Sequence, residues 1–213
     1  MRLHDYAASG NCYKVRLLLA LTGRTCDRVP VDIFGGDTLD DAFARLNPAR
    51  EAPVLELDDG ATIVQSNAIL VYLANRTAYL PEDAFRRALV AQWLLFEQEW
   101  IVRGIGAARF FKLTGRHGGA IPHRVAHAGR GLDLLEGRLT VAPFVVGEAP
   151  TIADVALFAY THVAPDAGLD LLLWPGICEW IDRIQALPGF MNDYVRYPAN
   201  AVPGAGRSIY DDV

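Results

Sequence analysis

The sequence predicts a mixed α/β domain followed by an all-helical domain. Strand and helix patterns alternate through the first 77 residues, strand patterns nearly vanish from residue 84 onward, and a break in composition separates the two regions. We therefore predict an α/β domain at residues 1–77, a linker at 78–83, a helical domain at 84–200 and an extended tail at 201–213. A cleft is expected where the two domains meet.

Composition excludes several classes of protein. The chain has 213 residues, of which 52% are apolar, and this content excludes a disordered chain. The formal net charge of −5 argues against binding to nucleic acid, and no apolar run approaches the roughly 18 residues of a membrane span. The three cysteines, without metal-type spacing, favour a reducing cytoplasm and no metal site.

The first domain is predicted to have the element order βαβ followed by ββα. Strands are expected at residues 2–6, 27–32, 54–57 and 61–64, and helices at 12–21, 39–46 and 68–74. Gly23 follows the first helix, where a left-handed residue ends many helices. Gly60 accepts the positive φ of a tight hairpin turn, so the third and fourth strands should be antiparallel neighbours.

The second domain is predicted to contain helices at residues 85–112, 123–139, 155–163 and 174–187. Three glycines within 123–139 are expected to loosen that helix. Thr151 and Asp154 fit a capping box, in which a hydroxyl and an acidic side chain satisfy free amides at a helix start. The helix at 155–163 is nearly all apolar and should form the centre of a second core.

Three short motifs in the first domain could hold a ligand. At Ser9-Gly10-Asn11-Cys12 a hydroxyl and helix N-terminal amides would stabilise an anion such as a thiolate. At Ala52-Pro53 a cis bond would leave the Ala52 backbone free to pair with a peptide-like ligand. At Gln65-Ser66 a carboxylate and an amine could both find partners. Each motif also has a purely structural interpretation, as a helix cap or as an ordinary proline at a strand start.

Taken together, these residues resemble the glutathione transferase family over most of the chain. The resemblance is carried by the runs Asn47–Pro53, Gln65–Leu70 and Thr151–Asp154, and Phe96-Glu97-Gln98 resembles a bacterial branch of these enzymes. It implies a thioredoxin-like first domain, a homodimer, and glutathione as cosubstrate with a small electrophile.

The resemblance also implies residue roles. Ser9 would be the thiol-activating hydroxyl with Asn11 as a second donor, which defines a serine-type enzyme. The glutathione backbone would pair with Ala52 before a cis-Pro53. Gln65 and Ser66 would hold the γ-glutamyl amine and carboxylate. The electrophile pocket would include Trp100, Arg103 and Arg109.

Simple energetics permit this mechanism. A thiol with a pKa of about 8.5 is only about 3% ionised at pH 7, and lowering that pKa by two units takes about 2.7 kcal/mol. A hydrogen bond to a charged group contributes about 1.5–3 kcal/mol, so two donors and a helix N-terminus suffice without a metal or a general base.

Other interpretations stay open at this stage. Arg50 and Glu51 stand where the family usually has a glycine and then a glutamine or lysine that contacts glutathione, although Arg50 could replace that contact. Tyr6 could activate the thiol instead of Ser9. Cys12 could be a covalent nucleophile, although a buried structural thiol fits its position better. The departure at Arg50-Glu51 also favours an alternative class, a binding or regulatory module with little turnover.

Overall fold

The computed structural model describes residues 1–211, and the last two residues of the predicted tail, Asp212 and Val213, lie outside the described residues. In the first part of the chain the elements are β1 (Arg2–Asp5), α1 (Gly10–Thr22), β2 (Asp27–Pro30), α2 (Asp41–Leu46), β3 (Val54–Glu56), β4 (Thr62–Val64) and α3 (Ser66–Leu73). The strand order is β2-β1-β3-β4. β1 and β2 are parallel and the other pairs are antiparallel, so the predicted βαβ-ββα order is confirmed.

Helix α1 has the ends that the sequence predicts. The Ser9 Oγ accepts a hydrogen bond of 3.3 Å from the Cys12 amide, which caps the helix start. Gly23 ends the helix at a φ of +63°, and Gly60 takes a φ of +86° in the β3–β4 turn. The helix therefore begins in the loop after β1, next to the end of the sheet.

In the second part of the chain, up to residue 211, the regular elements are helices. Three segments follow one another without a break, namely α4 (Ala84–Phe96), a π-helical segment (Glu97–Gly106) and α5 (Ala107–Thr114). The remaining helices are α6 (Ile121–Leu139), α7 (Ile152–Thr161), α8 (Ala164–Ala167) and α9 (Pro175–Gln185). Within residues 1–211, no helix is both long and apolar enough to span a bilayer.

Helix α6 is continuous from Ile121 to Leu139 although it contains the three glycines, and one of them, Gly131, serves close packing against the π-helical segment, together with Gly104 of that segment. A Cβ on Gly131 would lie 2.7 Å from the Trp100 Cβ, and a Cβ on Gly104 would lie 2.8 Å from Ala128. Since real Cβ atoms do not approach this closely, glycine is required at both positions for the two helical segments to pack together.

Helix α7 lies at the centre of the molecule. All ten of its residues are buried, and Thr151 and Asp154 form the predicted capping box. The apolar cluster around it also includes Tyr13 and Val15 of α1 and Leu70 of α3. The prediction of a separate second core is therefore wrong, since one apolar interior extends through both parts of the chain.

The segment after α9 (residues 186–211), which is called the tail from here on and contains the described part of the predicted extended tail, folds back onto the molecule. The Arg207 amide donates to the Phe34 carbonyl at 2.8 Å, which ties the tail to the loop after β2. Arg116, after α5, donates to the Ala201 carbonyl and pairs with Asp211 at 2.6 Å. These contacts bring tail residues to the junction between the sheet and the helices.

Candidate active site

A cleft of about 470 Å³ lies between the first domain and the helical part, as the sequence predicts. Each of its walls comes from a different region of the chain. The first domain contributes Tyr6, Ser9, Asn11, Ile33, Glu51 and Ala52; the helical part contributes Val102, Arg103, Gly106, Ala107, Phe110, Phe111, His117, Arg124 and Tyr160; the tail contributes Tyr197 and Tyr210.

The start of α1 brings Ser9 and Asn11 to the cleft. Both are half-buried, and Ser9 also caps the helix. A hydroxyl accepts and donates at the same time, so the capping role leaves the Ser9 O–H available to a ligand. A Cβ on Gly10 would lie 2.5 Å from the Tyr160 ring, so only glycine lets this first turn approach α7 so closely.

Asn11 is held from behind by a buried lysine. The Lys14 Nζ donates to the Asn11 Oδ1 at 2.8 Å and to the Ser66 Oγ at 3.3 Å. The same ammonium forms an ion pair of 2.7 Å with Glu97, and neither side chain is exposed. Burial lowers the pKa of Lys14, and the carboxylate of Glu97 opposes this effect.

Ala52 offers backbone groups to the cleft. The Ala52-Pro53 peptide bond is cis, and within residues 1–211 neither the N–H nor the C=O of Ala52 has a hydrogen-bond partner. The preceding loop is held by the buried Asn47, whose Nδ2 donates to the Glu51 carbonyl at 2.7 Å. A peptide-like ligand could therefore pair with Ala52 as one strand pairs with another.

Arg50 does not face the cleft. Its guanidinium donates to the carbonyls of Thr38 at 3.0 Å and Asp40 at 3.2 Å, in the segment before α2. The suggestion that Arg50 replaces a missing ligand contact is therefore unsupported. Glu51 lines the cleft and is exposed.

Gln65 and Ser66 lie at the start of α3 and are not among the residues that line the cleft. Gln65 is exposed with a φ of +69°, and Ser66 is 5% exposed. Through Lys14, the Ser66 hydroxyl belongs to the same hydrogen-bonded group as Asn11. The structure thus brings the starts of α1 and α3 together, as the motifs predict.

Of the three residues predicted for the electrophile pocket, only Arg103 lines the cleft. Trp100 stacks on His127 with ring centroids 4.5 Å apart. Arg109 is 2% exposed, and it donates to Asp166 at 2.9 Å and to the Tyr194 hydroxyl at 3.0 Å. The cleft face runs through positions 102–103, 106–107 and 110–111, so Trp100 and Arg109 fall on other faces of the helical run.

This difference between the two arginines can be tested with Arg109→Met and Arg103→Met. We expect Arg109→Met to lower the free energy of unfolding by about 2 kcal/mol, because hydrogen bonds of a buried guanidinium are lost, and to leave the KM for an electrophile unchanged. Arg103 is 67% exposed and, within residues 1–211, pairs only with Glu99, so Arg103→Met should barely change stability but should raise the KM of an anionic electrophile. Denaturant unfolding and steady-state kinetics measure both quantities, and an equal rise in KM for the two variants would contradict the assignment.

Two alternative residues are less suited to the chemistry. Cys12 is fully buried, and burial raises the pKa of its thiol to about 12, so it is not ionised at neutral pH. Tyr6 lines the cleft, but its hydroxyl oxygen is shielded from solvent and has no hydrogen-bond partner within residues 1–211. Burial raises the pKa of the Tyr6 phenol, which therefore stays protonated.

Several cleft residues were not predicted from the sequence. Tyr160 lies in the apolar run of α7 and gives no signal that separates it from a core residue. Tyr197 and Tyr210 lie in the tail. Aromatic side chains in a segment without helical periodicity were the feature of the sequence that could have indicated a role for them. Within the described chain, no group of three histidine, cysteine, aspartate or glutamate side chains is arranged to hold a metal ion.

Comparison with known proteins agrees with this geometry. The family model described as Glutathione S-transferase, N-terminal domain matches residues 3–81, and the model of the C-terminal domain matches residues 125–188. Maleylacetoacetate isomerase from Pseudomonas aeruginosa is 31% identical over an alignment of 209 residues, and the match covers 94% of this chain and 97% of that protein. Disulfide-bond oxidoreductase YfcG from Escherichia coli is 27% identical, with 86% and 89% covered.

Among solved structures, a glutathione S-transferase from Pseudomonas fluorescens superposes with a TM-score of 0.88 at 40% identity, covering 91% of this chain and 98% of that chain. A thioredoxin-like domain followed by a helical domain is the fold class of the matched glutathione S-transferase structure. The chain belongs to the glutathione transferase family.

Proposed function

We propose that this protein is an enzyme of the serine-type bacterial branch that binds reduced glutathione and stabilises its thiolate through the Ser9 hydroxyl and the Asn11 amide. One observation carries the proposal. Ser9 and Asn11, at the N-terminus of α1, line the same cleft as Ala52, whose backbone groups have no partner within residues 1–211. A cysteine-containing peptide needs hydrogen-bond donors for its thiolate and a backbone segment with which it can pair as a strand, and the cleft offers both.

In this arrangement the cysteinyl unit of glutathione pairs with Ala52, and its sulfur lies at Ser9 and Asn11. The γ-glutamyl amine and carboxylate lie towards Gln65 and Ser66 at the start of α3. We take residues 1–77 as the glutathione-binding domain and 84–200 as the domain that supplies the electrophile pocket. The serine hydroxyl acts as a donor to the thiolate and not as a base, because its own proton is far too tightly held.

The electrophile would lie against Phe110, Phe111 and the two tail tyrosines, with Arg103 and Arg124 beside it. Thiolate attack on an electrophilic carbon forms a C–S bond. In a substitution the bond to the leaving group breaks and the leaving group departs with the electron pair, whereas in an addition the resulting carbanion takes a proton from water. Relatives are named as an isomerase, as a disulfide-bond oxidoreductase and as glutathione transferases, so reduction of a peroxide or a disulfide is a further possible use of the same thiolate. We also propose that the protein forms a homodimer and that it is located in the cytoplasm.

A second candidate is a binding or regulatory module with little turnover. It is favoured by Glu51, whose negative charge faces the cleft, and by Arg50, whose guanidinium is directed away from it. Both features would weaken binding of the glycyl carboxylate.

Calorimetry and ultraviolet titration with reduced glutathione distinguish the two candidates. The enzyme should release or absorb heat on binding, and the absorbance band of the bound thiolate should titrate about two pKa units below the value of about 8.5 for a free thiol. S-methylglutathione is the control, because it should bind without producing the band. Absence of both binding heat and retention on immobilised glutathione would contradict the proposal and favour the module.

A further inference from the structure

Lys14 is a buried cation behind the candidate site, and none of the contacts proposed for glutathione involves it. Lys14 lies in the first turns of α1, is 0% exposed, and points away from solvent into the contact between α1, α3 and the π-helical segment. Lysine is almost never fully buried unless it is paired, so a specific role for this side chain needs an explanation.

The contacts of Lys14 determine the orientation of the Asn11 amide. An ammonium group has three N–H donors and no acceptor, so the amide group that faces it at 2.8 Å must be the Oδ1 atom. The Ser66 hydroxyl lies 3.3 Å from the same oxygen. Both acceptor directions of Oδ1 are therefore used. None of these contacts involves Nδ2, and Asn11 lines the cleft, so the Nδ2 donors are left for a ligand there.

Glu97 makes a buried cation tolerable at this position. Its Oε1 lies 2.7 Å from the Lys14 Nζ, and its Oε2 accepts hydrogen bonds from Asn67 at 3.0 Å and from Gln98 at 2.9 Å. Asn67 also donates to the Leu94 carbonyl at 3.1 Å, which joins α3 to α4. The helical domain thus supplies the counter-ion for a lysine of the glutathione-binding domain.

We propose that Lys14, with Glu97 as its counter-ion, is a positioning residue that holds the Asn11 oxygen so that an N–H donor of the Asn11 Nδ2 faces the sulfur of bound glutathione. This inference rests on the proposed function and adds a role for the Glu97 that the sequence singles out in Phe96-Glu97-Gln98. Lys14 acts through Asn11 and does not itself touch the substrate.

An alternative role for Lys14 is long-range attraction of the thiolate by its charge. Lys14 does not line the cleft, and its charge is already balanced by Glu97 at 2.7 Å. The charged or titratable groups that do line it are Glu51, Arg103, His117, Arg124 and the tyrosines Tyr6, Tyr160, Tyr197 and Tyr210. The two roles differ in one respect. Positioning requires Asn11, whereas attraction by charge does not.

A double-mutant cycle separates the two roles. The variants are Asn11→Ala, Lys14→Met and the two together, and the measured quantity is the pKa of the bound glutathione thiol, from its ultraviolet band. Loss of one hydrogen bond to a charged group should raise this pKa by about one to two units, a 10- to 100-fold change in the ionisation constant. We expect a rise of this size for each single variant and no further rise in the double variant.

The remaining outcomes overturn the inference. An equal additional rise on adding Lys14→Met to Asn11→Ala would assign the effect to charge. No rise for Lys14→Met alone would exclude positioning. No rise for Asn11→Ala would overturn the proposed function and this inference together, so the two failures are distinguishable.

Lys14→Met leaves Glu97 as an unpaired buried carboxylate, which could prevent folding. The Lys14→Met/Glu97→Gln variant removes both charges and keeps an acceptor for Asn67, so it should fold and show the same rise in the thiol pKa. Lys14→Arg is the rescue variant, because it keeps a cation with N–H donors beside Asn11, and it should return part of the shift. A folded Lys14→Met/Glu97→Gln protein with an unchanged thiol pKa would also overturn the inference.

Discussion

Replacing Ser9 and Asn11 together by alanine should reduce the conjugation rate about 100-fold at pH 6 and have little effect above pH 9. Both side chains are proposed to donate to the thiolate, and their loss should return the thiol pKa from about 6.5 to the value of about 8.5 for a free thiol. The sign follows from the ionised fraction. Below both pKa values the rate is proportional to this fraction and falls by the full ratio, whereas above both pKa values the sulfur is ionised in either protein.

The measurement is the pH profile of kcat/KM for a small electrophile at fixed glutathione concentration. Ser9→Thr is the matched control, because threonine keeps the hydroxyl and the cap to the Cys12 amide, and its profile should stay close to that of the unmodified protein. Unfolding curves are needed in parallel, since loss of the Ser9 cap alone costs about 1 kcal/mol of stability. A rate loss that is equal at every pH would contradict thiolate stabilisation by these donors.

Asp154→Ala should have the largest effect on stability, lowering the free energy of unfolding by about 3–5 kcal/mol. The Asp154 carboxylate is 0% exposed and accepts hydrogen bonds from the amides of Val145 at 3.0 Å and Thr151 at 2.8 Å, and from the Trp180 Nε1 at 3.1 Å. Alanine would leave these buried donors without partners and would remove the cap of the central helix.

Equilibrium unfolding in urea measures this loss as a change in the transition midpoint and slope. Asp154→Asn keeps the volume and one oxygen but places N–H groups against the same donors, so it should be less destabilising than Asp154→Ala. Thr151→Ser keeps the capping hydroxyl and should stay within about 1 kcal/mol of the unmodified protein. A change below 1 kcal/mol for Asp154→Ala would show that the capping box is not important for folding.

Local sequence signals predicted the first domain well because each element there is determined by its neighbours in the chain. Ser9 and Gly23 determine where α1 begins and ends, and Gly60 permits the turn between β3 and β4. The expected positions of Ser9, Asn11 and Ala52 on one cleft follow from this topology, because the loop after β1 and the loop before β3 meet at the same end of the sheet.

The helical wall was predicted less well for a physical reason. A π-helix has i→i+5 hydrogen bonds and therefore turns more slowly per residue than an α-helix. The ten residues Glu97–Gly106 are π-helical, so a face extrapolated from α4 at 3.6 residues per turn is displaced along this segment. Trp100 and Arg109 were expected in the pocket from the family resemblance, which carries no information on this displacement, and neither lines the cleft.

Sequence patterns could not predict contacts between distant parts of the chain. The ion pair between Lys14 and Glu97 joins residues from two domains, and no periodicity within either helix indicates it. The same is true of Tyr160, which is indistinguishable in sequence from the core residues around it, although its ring lies against Gly10.

The residues proposed to activate glutathione and the tail residues that line the cleft come from different parts of the sequence. Groups proposed to activate sulfur come from residues 9–66, whereas Tyr197 and Tyr210 reach the opposite wall from the far terminus. On the proposed function, substitutions in this peripheral segment, which is held in place through Arg116, would change which electrophiles are accepted without changing the groups that activate sulfur.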